Sequence, residues 1–446
     1  MPRPDIVFLH CHDLGRHLAL YGDAGPLTPG LERLADEGVL FEQLYSTSTV
    51  CTPSRGSIQT GLYPHQVGLF GLCNRAGWEL SPGARCIPHY LGEAGYRTVL
   101  LGLQHETRDW RKLGYQERFP QPSPHPALAW EIGRQAAELI TSLAPREERA
   151  PLYLNVGIRE PHRHDCWELY EAGDPDNLQV PSFLPDTPDV RRDLARYEGL
   201  IRAMDEAVGT VLKALDETGL ARDALVLFTT DHGLAFPRAK TTLYDAGIGA
   251  AGIARWPTQI RGGRREDCLL SHVDWLPTLL DIVGVSIPKE LEGRSFWPML
   301  CEGAWEPREC VYAEGTYEQG YNPARCVRTR EHKLIRNYHS EPARMRSTEE
   351  DPHNGVLGAS DYPVEVWEKR PLWELYDLVA DSDERCNRIQ DQAMSDVYRR
   401  TRELLVSWLV RTRDPVHQIY ETFHYPEGAD AAIADPNSLV RLRPGA

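Results

Sequence analysis

The sequence predicts an α/β protein: a mostly parallel sheet flanked by helices, with a smaller C-terminal α+β subdomain. Two observations predict this fold. Through residue 320, short apolar runs alternate with helical segments, which is the pattern of parallel strands joined by crossover helices. Beyond that point the pattern changes to a hairpin, one further strand and a terminal helix. A chain of 446 residues has room for two such units, which we place at residues 1–320 and 321–446.

Each predicted element follows from a local signal. Apolar runs of strand length lie at residues 6–9, 39–41, 98–101, 152–156 and 224–229. Thr28 followed by Pro29 signals the start of a helix, and further helical segments lie at residues 87–94, 130–143, 189–218 and 273–283. The C-terminal part is predicted to contain a hairpin at 326–330 and 333–338, an irregular surface insertion at 340–364, a strand at 373–378 and a helix at 394–410.

The composition excludes several classes of protein. Acidic residues outnumber basic ones by 65 to 49, and a net charge of −16 argues against a nucleic-acid binder, whose affinity depends on Lys and Arg meeting phosphate. No apolar stretch approaches the roughly 20 residues of a membrane span. The apolar run near the N-terminus is too short for a signal peptide, so we expect a cytoplasmic protein without a membrane partner. Its ten scattered cysteines are then expected to be reduced.

Polar clusters follow four of the predicted strands, at residues 10–13, 102–105, 159–164 and 231–233. Because parallel sheets carry their functional groups just past the carboxyl ends of strands, these clusters are candidates for one site. The pairs His12-Asp13 and Asp231-His232 would converge if their strands are neighbours, and they could then bind a divalent cation. The alternative is that Asp13 and Asp231 only cap helices or turns.

The most specific segment is residues 51–61, which reads Cys-Thr-Pro-Ser-Arg-Gly-Ser-Ile-Gln-Thr-Gly. Cys51 precedes a short helix opened by Pro53, and a nucleophile at a helix N-terminus lies in a positive field that favours anionic substrates. Arg55, one turn further on, could hold the nucleophile or an oxyanion through a bidentate contact. The alternative is a buried structural cysteine, the commoner role for this residue type.

This segment resembles the sulfatase signature, Cys-x-Pro-Ser-Arg followed by a short helix and Thr-Gly. The resemblance implies that a separate formylglycine-generating enzyme oxidises Cys51 to formylglycine. Residues 157–163, 180–188, 228–244 and 374–378 are similar to the sulfamidase (heparan N-sulfatase) branch of the family. An alkaline-phosphatase-like fold is then implied, with residues 1–320 as the catalytic domain. Gln59 departs from the family pattern, which usually has Leu or Met there.

The resemblance also implies a metal site. Its ligands would be Asp13, Asp231, the residue derived from Cys51, and His12 and His232 where the family usually has Asp and Asn. Calcium is the usual metal of sulfatases. Two imidazoles shift the preference towards manganese, zinc or iron.

Further residues carry over as catalytic or substrate-binding groups. The family's Gly-Lys-x-His is here Gly102-Leu103-Gln104-His105, so the sulfate-binding lysine is missing while the histidine is kept. The remaining matches are a basic sulfate-binding residue, the signature arginine and a histidine near the leaving group, which are Lys240, Arg55 and His162. Gln104, His10 and His164 lie beside these residues as further candidates. Either His105 or His162 could be the general acid.

We therefore expect a sulfatase-type hydrolase that cleaves a sulfamate of an N-sulfo sugar or a sulfate ester. One alternative is a phosphonate monoester or phosphodiester hydrolase, which the histidine ligands and the missing lysine favour. Another is a catalytically inactive homologue that binds sugars. The expected partners are an anionic, sulfated sugar substrate and the modifying enzyme.

Overall fold

The computed structural model describes residues 3–22, 25–74, 77–119, 127–143, 145, 148–163, 167–317, 320–339 and 370–424. Its strands are β1 (Ile6–Cys11), β2 (Val39–Phe41), β3 (Leu44–Tyr45), β4 (Arg97–Gly102), β5 (Glu117–Arg118), β6 (Leu152–Gly157), β7 (Leu225–Thr230), β8 (Gly249–Ala250), β9 (Gly252–Arg255), β10 (Arg264–Glu266), β11 (Leu270–Ser271), β12 (Cys310–Tyr317), β13 (Tyr321–Thr329), β14 (His332–Asn337) and β15 (Trp373–Asp377). Its helices are α1 (Pro29–Asp36), α2 (Cys51–Thr60), α3 (Ile87–Glu93), α4 (Ala129–Thr141), α5 (Pro188–Glu217), α6 (Asp245–Ile248), α7 (Trp275–Ile282), α8 (Trp297–Leu300), α9 (Ser395–Arg411) and α10 (Pro415–His424).

The large sheet has eight strands in the order β10-β2-β9-β7-β1-β6-β4-β5. From β7 to β5 every neighbouring pair is parallel, whereas β9 runs antiparallel to both β2 and β7. The predicted α/β class is therefore confirmed, and the predicted strands of this region all belong to the sheet. Because β7, β1, β6 and β4 are consecutive and parallel, the polar clusters that follow them lie along one edge.

Both faces of the large sheet are buried. In β1, Val7, Leu9 and Cys11 belong to a core shared with α1, α4 and α5, while Ile6 and Phe8 belong to a second core shared with α3 and α7. This division follows from the alternation of side chains along a strand. It also explains why these strands are continuous apolar runs in the sequence.

The smaller sheet has four antiparallel strands in the order β12-β13-β14-β15. The predicted hairpin forms β13 and β14. Strand β12 escaped prediction because its buried residues include the polar Glu314 and Thr316, so it shows neither an uninterrupted apolar run nor the alternation of a half-exposed strand. The predicted division between residues 320 and 321 consequently falls inside this sheet, between β12 and β13. The predicted insertion at 340–364 lies outside the described residues.

The small sheet is packed between the large domain and α9. One of its faces shares an apolar cluster with residues of the large domain, among them Tyr45 and Ile248. The other face packs against α9, where the Trp408 ring stacks on Tyr312 at 4.8 Å and meets Tyr63 of the large domain edge-on at 4.9 Å. The two sheets are thus joined through continuous cores.

The small sheet also touches the segment that leads into α2. The backbone N–H of Glu314 in β12 donates to the carbonyl of Thr47 at 2.9 Å, and Glu314 forms an isolated parallel bridge with Ser48. Its carboxylate accepts hydrogen bonds of 2.9 and 2.5 Å from the backbone N–H and the ring of His65, which follows α2. Strand β12 therefore contacts the chain on both sides of this helix.

Two further sequence expectations concern the surroundings of the protein. Every cysteine within the described residues is free. Among the helices of the described part of the chain, none combines the length and the apolar character needed to cross a membrane.

We expect Trp408→Ala to lower the free energy of unfolding by about 3–5 kcal/mol, because it empties a buried aromatic site that α9, the small sheet and the large domain share. Val410, on the same helix, is 63% exposed, so Val410→Ala is the matched control, with an expected change of no more than about 0.5 kcal/mol. Urea denaturation measures both. Equal effects of the two substitutions would contradict the packing described here.

Candidate active site

Two carboxylates, Asp13 and Asp231, lie side by side at the carboxyl end of the large sheet. They follow β1 and β7, which are parallel neighbours. The backbone N–H of Asp13 donates a hydrogen bond of 2.8 Å to Oδ1 of Asp231. Asp13 has a left-handed backbone conformation, with φ of 54°. The sequence prediction that these two pairs of residues converge is correct, because their strands are adjacent.

Helix α5 holds the loop that carries Asp13. The Tyr197 hydroxyl donates a short hydrogen bond to the backbone carbonyl of Asp13, and the Tyr197 ring packs edge-on against Phe236 at 5.2 Å. Both Tyr197 and Asp13 are fully buried. The left-handed backbone of Asp13 is thus held by a side chain of α5, which lies outside the loop that carries Asp13.

Cys51 is the first residue of α2, and its side chain points to the carboxylate pair. Its Sγ lies 3.8 Å from Oδ1 of Asp13 and 3.4 Å from Nε2 of His232. Burial raises the pKa of the Cys51 thiol well above its ordinary value, with Lys240 opposing the shift. An unmodified thiol here is therefore protonated near neutral pH, unlike an activated cysteine nucleophile.

The imidazoles of His12 and His232 complete the cluster. Nδ1 of His12 lies 3.2 Å from Oδ2 of Asp231, and Nε2 of His232 lies 3.2 Å from Oδ1 of Asp13. The ligand atoms of His12, Asp13, Cys51 and Asp231 all lie within 4.8 Å of one another. All five residues are buried.

This donor set fits a metal ion. Nδ1 of His232 donates to the carbonyl of Gly233 at 3.0 Å, which turns Nε2 towards Oδ1 of Asp13. Nε2 of His12 is buried without a hydrogen-bond partner among the described residues, while its Nδ1 lies against Asp231. A cation bound between these groups would satisfy this nitrogen and offset the two carboxylates.

The place of Arg55 one turn after Cys51 suggested a contact with the nucleophile or a substrate oxyanion, but its side chain points into the protein. Its Nε donates to Oδ2 of Asp231 at 3.2 Å, one terminal nitrogen donates to the carbonyl of Cys11 at 2.8 Å, and the other lies 2.6 Å from Nδ1 of His10. Its side chain is only 2% exposed. Arg55 thus supports a carboxylate of the site from behind, and these contacts direct it away from a bidentate grip on a substrate oxyanion.

Lys240 and His162 line the more open side of the cluster. Nζ of Lys240 lies 2.7 Å and Nε2 of His162 lies 3.8 Å from Oδ2 of Asp13, and their side chains are 12% and 24% exposed. Burial alone would raise the pKa of Asp13, but Lys240, His162 and His232 outweigh it and hold that pKa well below its ordinary value. The predicted partners Lys240 and His162 therefore share the site with the carboxylates.

The histidine His105 approaches from the loop after β4. The ring of His12 lies 6.1 Å from that of His105 and 5.7 Å from that of His162. Burial, with a further contribution from Arg55, lowers the pKa of His105 to about 3. His105 is therefore neutral near neutral pH and has no imidazolium proton to donate.

Gln104 uses its side chain differently from the prediction. Its amide nitrogen donates to the carbonyl of Thr107 at 2.8 Å, and its amide oxygen accepts from the backbone N–H groups of Glu106 and Thr107 at 3.2 and 3.3 Å. These contacts hold the loop after β4 and use the oxygen and one N–H of the amide, and the role of Gln104 in substrate binding stays a prediction. His164 lies outside the described residues.

Some supporting residues were not predicted from the sequence. Tyr197 falls within the predicted helix at 189–218, but nothing in its apolar spacing indicates that its hydroxyl reaches Asp13. Ser54 lies inside the signature segment, where its hydroxyl donates to the backbone carbonyl of Asp231 and lies 3.1 Å from Nδ1 of His272. The position of Ser54 within a recognised motif was a usable signal, whereas His272 carried none.

Comparison with known families places this site in context. The family model "Sulfatase" matches residues 4–285, which include every residue of the cluster. The chain belongs to the sulfatase family. A second model, "N-sulphoglucosamine sulphohydrolase, C-terminal", matches residues 232–361. The chain is therefore a sulfatase-type hydrolase, as its signature segment predicted.

Two relatives illustrate the range of the family. Human N-sulphoglucosamine sulphohydrolase is 27% identical to this sulfatase, over 93% of this chain and 91% of that protein. An ulvan-active sulfatase of Formosa agariphila is 29% identical over 76% of this chain, but the match spans only 61% of that longer relative.

Solved structures share the fold. A protein solved in complex with its substrate D-glucosamine-2-N,6-O-disulfate has a TM-score of 0.71 at 18% identity, covering 92% of this chain and 98% of that one. A putative sulfatase from Bacteroides thetaiotaomicron has a TM-score of 0.72 at 21% identity, covering 93% and 94% of the two chains. At these identities the likeness concerns the fold.

We expect Tyr197→Phe to lower the free energy of unfolding by about 1–3 kcal/mol, because the buried Asp13 carbonyl loses a hydrogen bond while the ring packing is kept. Thermal unfolding followed by calorimetry measures the change. Tyr321, which is 47% exposed, provides the control Tyr321→Phe. A Tyr197→Phe variant as stable as that control would show that the hydroxyl contributes nothing.

Proposed function

We propose that this sulfatase removes the sulfo group from the nitrogen of an N-sulfated amino sugar, with residue 51 as the nucleophile. The observation that carries the proposal is the position of this side chain, at the start of α2 and within 3.8 Å of a buried carboxylate and 3.4 Å of an imidazole. Overall, the sulfur–nitrogen bond breaks, an oxygen from water joins the sulfur, and the nitrogen gains a proton.

The nucleophile requires a change at Cys51. Formylglycine at this position would supply, in its hydrated form, a hydroxyl group as the attacking atom. Cys51 and Arg55 are each only 2% exposed, so a modifying enzyme that reads this segment must act before the chain folds. The structure thereby favours a partner that recognises residues 51–55 in an extended chain.

A divalent cation is the second requirement. His12, Asp13, Asp231, His232 and residue 51 would hold it, and it would lower the pKa of the attacking hydroxyl and offset the charge of the sulfo group. We propose manganese, zinc or iron rather than calcium, because imidazole suits these ions whereas calcium takes oxygen ligands.

Lys240 is proposed to bind the charged sulfo group, and the histidines His162 and His105 are proposed to transfer protons. Lys240 contacts Asp13 from the exposed side, where its ammonium group can also bind an oxygen of the sulfo group. His162 donates Nδ1–H to the carbonyl of Arg163 at 2.7 Å, which turns Nε2 towards the cluster. We assign His162 to protonation of the leaving nitrogen and His105 to acceptance of a proton when sulfate is released.

The substrate class rests on the relatives. N-sulphoglucosamine sulphohydrolase matches this chain over nearly its whole length, and the second family model carries the same name. A phosphonate monoester or phosphodiester is the second candidate, favoured by the histidine ligands and by Leu103 in place of a lysine. Leu103 removes one positive charge from the anion site, so a sulfate ester is a weaker match than in relatives with the lysine.

The first test concerns residue 51. A mass spectrum of the peptide that spans it should show a loss of about 18 Da, because a thiol has become an aldehyde. Cys51→Ala should lower kcat for the best substrate by about 10⁴-fold or more while leaving the melting temperature near that of the wild type. Cys326→Ala is a suitable control, because it replaces another buried cysteine, which lies in the small sheet. Activity of Cys51→Ala near that of the wild type would exclude this nucleophile.

The substrate is tested with the modified, metal-loaded protein. N-sulfoglucosamine, an aryl sulfate and an aryl phosphonate should be compared by kcat/KM. We expect N-sulfoglucosamine to give the highest value. Preference for the phosphonate would establish the second candidate, and turnover of none of them would favour an inactive, sugar-binding homologue.

The metal is tested by elemental analysis and by one substitution. The wild-type protein should bind manganese or zinc more tightly than calcium. His12→Asp introduces the oxygen donor usual in sulfatases and should shift this preference towards calcium by about tenfold or more. His17→Asp, at a buried histidine outside the cluster, is the control. Stoichiometric calcium in the wild-type protein would contradict the proposed selectivity.

A further inference from the structure

Arg55 is held by a histidine that the proposed mechanism leaves unused. His10 lies in β1, directly before the strand end that carries His12 and Asp13. One terminal nitrogen of Arg55 lies 2.6 Å from Nδ1 of His10, and the amide of Asn155 lies 3.0 Å from Nε2 of the same ring. All three side chains are buried. Asn155 belongs to β6, the strand that pairs with β1 on the side opposite β7.

The positions of the hydrogen atoms in the contacts between Arg55, His10 and Asn155 can be assigned. A guanidinium group has donors only, so Nδ1 of His10 must accept and carries no proton. The proton of the neutral ring is then on Nε2, which needs an acceptor. The side-chain oxygen of Asn155 is buried without a partner, and rotating the amide by half a turn brings that oxygen to Nε2. This arrangement satisfies both groups at once.

We propose that His10, oriented by Asn155, is a positioning residue that fixes the guanidinium of Arg55 against Asp231. Three anchors then define the plane of the guanidinium: the Asp231 carboxylate, the Cys11 carbonyl and Nδ1 of His10. The carbonyl and the imidazole both come from β1, while Asp231 follows β7. The arginine therefore ties the two strands that carry the carboxylates.

The consequence for the site follows from the geometry. Oδ2 of Asp231 accepts from Arg55 at 3.2 Å and lies 3.2 Å from Nδ1 of His12. Loss of the His10 acceptor leaves a buried N–H of Arg55 without a hydrogen bond, which costs free energy. The guanidinium can regain a partner by rotating, and this rotation moves it away from Asp231. Asp231 then loses the Arg55 contact to its Oδ2, as when an outer partner of a metal ligand is removed, while its Oδ1 keeps the hydrogen bond from the backbone of Asp13.

The test uses two substitutions at position 10 in the full-length protein. His10→Leu removes the acceptor, whereas His10→Asn keeps an oxygen close to the position of Nδ1. The readout is the affinity for manganese or zinc alone, measured by competition with a chelator. We expect a loss of about 10–100-fold for His10→Leu and a smaller loss for His10→Asn. Equal losses, or an unchanged affinity in His10→Leu, would overturn the proposal.

A second measurement takes its readout from the wild-type protein and uses a variant only to assign signals. Nuclear magnetic resonance of wild-type protein with isotopically labelled histidine nitrogens, compared with His10→Asn, identifies the signals of His10. Nε2 should carry the proton and Nδ1 should not. The opposite tautomer, or a ring protonated at both nitrogens, would overturn the proposal.

The catalytic consequence rests on the proposed function and the metal-affinity readout rests on its proposed cation, whereas the tautomer of His10 depends on neither. For the preferred substrate, His10→Leu should lower kcat more than it changes KM, because the contacts that the structure describes for Arg55 lie on the closed side of the site. If the wild-type protein turned over no tested substrate and His10→Leu still lost metal affinity, the proposed function would fail while the role of His10 would stand.

Discussion

Two buried carboxylates set the constraint on which the rest of this site depends. Asp13 and Asp231 are brought together by adjacent parallel strands, and neither side chain has measurable exposure to solvent. Like charges at such proximity in a protein interior are costly unless positive groups surround them. Lys240 on the open side and Arg55 on the closed side meet part of this need. A bound cation would meet the remainder, which is why the cluster and the metal are best regarded as one unit.

The positive charges of the site are divided between its two sides. Arg55 is directed inward to Asp231, so Lys240 is the cation of the predicted set that reaches the exposed side. The resemblance of the signature segment to sulfatases implies two departures from the usual pattern, imidazoles at positions 12 and 232 and an apolar residue at position 103. Both departures concern positions proposed to bind the metal or the anion.

The sequence predicted the large sheet well because its strands are buried on both faces and therefore appear as uninterrupted apolar runs. It also predicted the meeting of His12, Asp13, Asp231 and His232, since topology alone decides which strand ends share an edge. The sequence did not predict contacts that depend on the direction in which a side chain points. Gln104 binds its own loop, Arg55 turns inward, and Tyr197 reaches Asp13 from a helix distant in sequence. Spacing along the chain carries no information on these directions.

The contact between β12 and the chain on either side of α2 has a consequence for inherited or engineered variation. Glu314 bridges Thr47 and Ser48 on one side and His65 on the other, although it is far from the carboxylates in sequence. Substitutions in the C-terminal sheet can therefore displace the segments on either side of α2, and with them residue 51. Every proposed metal ligand and every charged group of the site would stay intact. Such alleles would present as losses of activity with a normal metal content, and inspection of the signature segment alone would miss them.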